Sequence, residues 1–161
     1  MQLNISIDRT KVYETVAQNT VYIGGRSISA TDDMYDKVFT TDDDRMYLDH
    51  LWKEVCQSVD AIFPEFLTKT TPLIANPLQR DNAFEFTLTL PNNINKTVLA
   101  SIESDFYNFV SLTILAGWLS RIGIESATLY QEEAKSTIES IQHKIYSRKR
   151  PVYNETVRKK Q

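Results

Sequence analysis

The sequence predicts a mainly α fold of the α+β kind, a helical bundle of three to four helices carrying a small β hairpin. Three observations predict it. Apolar residues recur at three- and four-residue steps near residues 41–63, 93–121 and 127–146, the period changes to two over 84–90, and Pro or Gly marks the junctions. At 161 residues, with 42% apolar and 24% charged side chains, the chain is long enough for one domain with its own core. The expected organisation is a single helical domain over residues 1–147, with the hairpin near 73–90, followed by a basic C-terminal arm, residues 148–161, that is disordered when unbound.

Taken in order, residues 8–20 predict a short first helix. Asp8 can cap it, and Val12, Val16 and Tyr13 or Ala17 fall at helical spacing. Gly24-Gly25 is expected to break the pattern. Residues 26–41 are polar and acidic with isolated Met34, Tyr35, Val38 and Phe39, and read as a single turn or a surface loop.

Thr41-Asp42-Asp43-Asp44 predicts the start of a long helix. A Thr oxygen can accept from the unpaired N–H groups of the first turn, and three carboxylates face the positive end of the helix dipole. Leu48, Leu51, Trp52, Val55, Val59, Ile62 and Phe63 then form one apolar stripe, which Pro64 ends. Phe84, Phe86, Leu88 and Leu90 alternate with Glu85, Thr87 and Thr89 as a strand with one buried face. Leu73 to Leu78 is its expected hairpin partner, kept short or at an edge by Pro72 and Pro77.

Pro91-Asn92-Asn93 can stop the strand and cap a second long helix reaching about Arg121. Its apolar positions, among them Val98, Ile102, Phe106, Val110 and Leu119, are joined off the stripe by Tyr107, Leu112, Ile114, Leu115 and Trp118, which makes it a central helix or one that meets a partner. Gly123 is the expected C-terminal cap. Ala127, Tyr130, Ala134, Ile138, Ile141 and Ile145 mark a last helix that ends near Tyr146.

Charge narrows the function classes. The formal net charge of −3 offers no global attraction to nucleic acid or to an anionic membrane. The longest apolar run, 109–119, is interrupted by Ser111, Thr113 and Gly117 and is too short to cross about 30 Å of hydrocarbon, so no membrane role is expected. Met1-Gln2-Leu3-Asn4 shows no secretory signal, which predicts cytoplasmic synthesis. A lone Cys56 has no disulfide partner and reads as a buried helix residue. The carboxylates Asp32, Asp33, Asp36, Asp42, Asp43, Asp44 and Asp49 lack the spacing of a metal cage, and the two histidines, His50 and His143, read as exposed or half-exposed helix positions. Gly24-Gly25-Arg26-Ser27 reads as a turn and not a phosphate loop. No cofactor, metal or catalytic constellation is expected, and the protein is read as a non-enzyme.

What remains is charge polarity. From position 144 onward seven bases, Lys144, Arg148, Lys149, Arg150, Arg158, Lys159 and Lys160, face one acid, Glu155. Residues 31–60 carry nine acids against three bases. Pro151-Val152-Tyr153 sets an apolar, aromatic element inside the basic run, suited to anchoring in a pocket. The expected partner-binding residues are therefore Arg148, Lys149, Arg150, Pro151 and Tyr153 on the arm, with Asp42, Asp43 and Asp44 as acidic counterparts on the next subunit; a head-to-tail contact of this kind closes into a ring when its rotation allows. The alternative is a small nucleic-acid-binding or regulatory protein that uses the same tail.

Thr40 to Arg45 opening a long helix, Leu51-Trp52, Trp118-Leu119 and Ser147 to Pro151, together with two further helices and a strand pair, resemble small virion proteins of phages and prophages of gut Bacteroidales. Within those the chain looks most like a head-tail connector, the adaptor or ring protein below the portal. The resemblance implies a homo-oligomeric ring in the phage neck of the virion, built in the host cytoplasm. Its implied partners are portal and tail or neck proteins, with DNA possible in the channel, and residues from Arg148 onward would be the docking arm. The strand pair at 73–90 departs from a minimal helical adaptor.

Overall fold

The computed structural model describes residues 1–26, 38, 40–70, 83–90, 92, 94 and 96–146. In chain order these form β1 (Gln2–Asp8), α1 (Arg9–Arg26), a 3-10 turn (Asp42–Asp44), α2 (Arg45–Ile62), β2 (Leu67–Thr70), β3 (Ala83–Thr89), α3 (Lys96–Arg121) and α4 (Ala127–Tyr146). The architecture is mainly helical with a small three-stranded antiparallel sheet of order β1-β3-β2.

Strand β1 is the element that helical periodicity did not announce. Its register with β3 sets Ile5 opposite Phe86 and Ile7 opposite Phe84. All four side chains are buried on one face, as two-residue alternation requires. On the outer face Thr87 donates to Asn4 Oδ1 at 2.9 Å. Strand β3 is thus central, paired on its other side with β2, where an irregularity between Leu67 and Lys69 shifts the register. The strands beside β3 are β1 and β2 and not the expected 73–78, a segment that lies outside the described residues.

Asp8 ends β1 and starts α1. Its Oδ1 accepts from the backbone N–H of Thr10 at 2.8 Å and of Lys11 at 3.3 Å, the expected N-cap. Helix α1 then runs through Gly24 and Gly25, so the expected break is overturned. Val12, Val16, Thr20 and Gly24 fall four residues apart on one buried face, and tertiary packing outweighs a glycine cost of roughly 1 kcal/mol each. Val38 also departs from a surface position: it is buried, and its carbonyl accepts from Trp118 Nε1 at 2.7 Å.

Helix α3 is central, covered by α1, α2, α4 and β1. From Phe109 to Leu119 it has no exposed residue. It ends in a Schellman geometry: Gly123 adopts φ 75°, its N–H reaches Ser120 O at 3.2 Å, and Ile124 N–H reaches Leu119 O at 3.0 Å. Phe106 joins the layers. Its ring stands edge-on to Phe86 of the sheet at 5.1 Å and to Phe63, just past α2, at 5.4 Å.

Replacing Phe106 by Ala removes a fully buried ring that the sheet, α2 and α3 share. Unfolding in urea is expected to show a loss of about 3–5 kcal/mol, whereas a loss well below 1 kcal/mol would show that the three layers do not meet there.

Candidate functional site

The head of α2 departs from the expected cap: Asp42–Asp44 form a 3-10 turn ahead of the helix, and the Thr41 hydroxyl donates instead of accepting. Thr41 is extended, and the Asp44 carboxylate turns back to accept from the Thr41 N–H and from the Thr41 hydroxyl, each at 2.9 Å. Asp44 is therefore engaged in capping. Asp42 and Asp43 are exposed on the same turn, so the structure divides the three expected acidic counterparts into one that holds the turn and two that face solvent. Arg148, Lys149, Arg150, Pro151 and Tyr153 lie outside the described residues.

α1 and α2 are tied by a partly buried cluster that sequence spacing cannot show. Tyr13 donates to Asp49 Oδ1 at 2.7 Å, and the buried Arg9 guanidinium lies 3.5 Å from the same oxygen. Burial, followed by the hydrogen bond to Asp49, holds the Tyr13 hydroxyl protonated far above the usual tyrosine range. On α3, Tyr107 donates to Lys11 O at 2.9 Å and pairs with the Thr15 hydroxyl at 2.7 Å. These groups serve helix attachment, and Asp8 and Tyr107, which line a polar hollow of about 370 Å³, are already committed to the cap and to α1.

The larger opening lies on the other side of α3. Leu51 packs against Gly117 so closely that a β-carbon there would come within 2.8 Å of it, and Phe63 meets Phe106, so α2 runs antiparallel to α3. Lys144 pairs with Asp105 and donates to Ser101 at 2.9 Å, so α4 is antiparallel to α3 as well. α2 and α4 are consequently parallel, each seated on α3 and hardly touching one another. Between them is a groove of about 500 Å³. Phe109, Ala116 and Gly117 floor it, while Val55, Ala134 and Ile138 wall it. One acid, Glu54, and one base, Lys135, stand at its rim.

Among the described residues, Cys56, His50 and His143 do not line this groove. Cys56 is fully buried, and burial, then the nearby Asp60 carboxylate, push its thiol far above the usual range, which leaves no thiolate to act as nucleophile. Burial also raises Asp60. His50 and His143 are exposed, His50 lying 3.2 Å from Glu54 one turn on. Among the described residues no group of three or more His, Cys, Asp or Glu is placed to hold a metal ion, and no helix is long and apolar enough to cross a membrane.

Comparison with protein families, characterised proteins and solved structures finds no match to this chain.

The raised thiol carries a pH signature. A group whose pKa is higher in the folded state contributes stability at low pH that is lost once the unfolded thiol, near pH 8.5, begins to ionise. Wild-type stability is expected to fall by up to about 1.4 kcal/mol per pH unit above that point through Cys56, and Cys56→Ala to lack this component in urea titrations between pH 8 and 10. Parallel slopes for the two proteins would refute the assignment.

Proposed function

We propose that the protein is a non-enzymatic structural component of a phage neck, a head-tail connector or adaptor. It assembles as a homo-oligomeric ring and docks on neighbouring virion proteins, portal and tail or neck proteins, through its C-terminal arm. Its place is the virion, after assembly in the host cytoplasm.

The observation that carries this reading is the separation of charge. Six bases follow Tyr146 against the single acid Glu155, while Asp42 and Asp43 are presented to solvent at the head of α2, with Asp44 engaged in the turn that presents them. Such complementarity steers and registers a subunit contact more than it strengthens it. The likeness of residues 40–45 and 147–151 to connector proteins supports the same conclusion.

The test reverses the arm's charge. Surface pairs contribute roughly 0.2–1 kcal/mol each, so Arg148→Glu, Lys149→Glu and Arg150→Glu together are expected to weaken self-association about tenfold or more. Sedimentation velocity would show the oligomer dissociating at correspondingly higher concentration, with circular dichroism unchanged and any fall in thermal midpoint confined to concentrations where the wild type is assembled. An oligomer unaffected by the triple reversal would rule out arm-driven assembly.

A further inference from the structure

The groove between α2 and α4 is apolar at its floor and walls, and the chain carries an apolar tripeptide just beyond α4. We propose that this groove is the seat of the chain's own C-terminal arm. Pro151-Val152-Tyr153 lies in it, and Arg158, Lys159 and Lys160 come to rest beside Asp42 and Asp43.

Reach and direction support the assignment. Helix α4 ends at Tyr146, whose ring packs against Phe66 at 5.2 Å, at the sheet end of the bundle. From there the groove's wall at Ala134 is twelve residues back along α4, about 18 Å at the helical rise. Tyr153 is seven residues past Tyr146 and spans up to about 24 Å of extended chain, enough to reverse direction and reach that wall in the same molecule. Because α2 and α4 are parallel, an arm returning along α4 travels toward the head of α2. Val55, in the groove, is twelve residues from Asp43, again about 18 Å. Arg158 to Lys160 follow Tyr153 by five to seven residues, about 17–24 Å when extended. The two spans agree.

The chemistry agrees as well. A volume of about 500 Å³ accommodates a valine and a tyrosine side chain together, and apolar clefts of this size with few polar groups suit such anchors. Lys135, the base at the rim, is matched by Glu155, the arm's one acid, two residues past the anchor. At the far end three bases meet two exposed carboxylates. The seat does not depend on ring assembly. Its role does rest on the proposed function: an arm stored in its own subunit has to be released before it can dock on a neighbour, which sets assembly in competition with the resting state.

The test uses the full chain with a photo-reactive benzoylphenylalanine in place of Tyr153, irradiated at low concentration, with the monomer band digested and mapped by mass spectrometry. Cross-links within one chain to Glu54, Ser58, Thr113, Gln131 or Lys135 are expected. Gln131→Trp, at an exposed rim position outside the core, should reduce their yield severalfold. Cross-links to other surfaces, none within the monomer, or cross-links confined to dimers, which would put the arm in a second copy, each overturn the proposal. Loss of assembly on charge reversal with no groove cross-link removes the seat alone; groove cross-links with no assembly remove the ring alone.

Discussion

A helix that is apolar around most of its circumference has to be covered on every side, and α3 is such a helix. Between Phe109 and Leu119 every residue is buried or half-buried. Water cannot be left against that surface at a cost of roughly 25 cal/mol for each Å² of apolar area, so the other elements are distributed around it. α1 is tied on by Tyr107, and the sheet by the stacked edges of Phe86 and Phe106. α2 is fixed by Phe63 below and by Leu51 against Gly117 above, and α4 by Lys144 with Asp105. Phe106 is where sheet, α2 and α3 come into register.

That distribution leaves one side incompletely closed. α2 and α4 both face α3 and not each other, so among the described residues the strip of α3 between them is bordered by their walls with no further layer above. Gly117 contributes to this shape, since its missing side chain lets α2 settle low on α3. The groove is walled in part by α2, and the exposed acids stand at the head of the same helix. This arrangement joins the charge polarity of the sequence to the packing of the core. Attachment chemistry and surface chemistry are kept apart. Arg9, Asp49 and Tyr13 are turned inward between helices, while Asp42 and Asp43 are turned out.

Much of this was legible before the structure. The stripes of α2, α3 and α4, the Asp8 cap, the Gly123 terminus and the alternation of β3 all rest on local spacing, and local spacing is what a sequence displays. β1 was harder. Leu3, Ile5 and Ile7 alternate with polar residues, but the run is short, and its partner is about eighty positions away, so only the fold makes it a strand. Gly24 and Gly25 misled because propensity is a weak local preference that the buried face of α1 overrides. The Arg9–Asp49 pair and the groove arise from helices meeting in space and leave no periodic trace. The acidic turn was found from composition, but its division into one capping and two exposed carboxylates needed the hydrogen bonds of Thr41.

The proposal to be tested first is that the molecule assembles into a closed ring. Native mass spectrometry of the intact protein, taken over a concentration series, tests it most directly. The account predicts one discrete high-order stoichiometry in exchange with monomer, because a head-to-tail contact that closes stops growing at a fixed number of subunits. Monomer alone at every concentration, or a ladder of sizes without end, would contradict it.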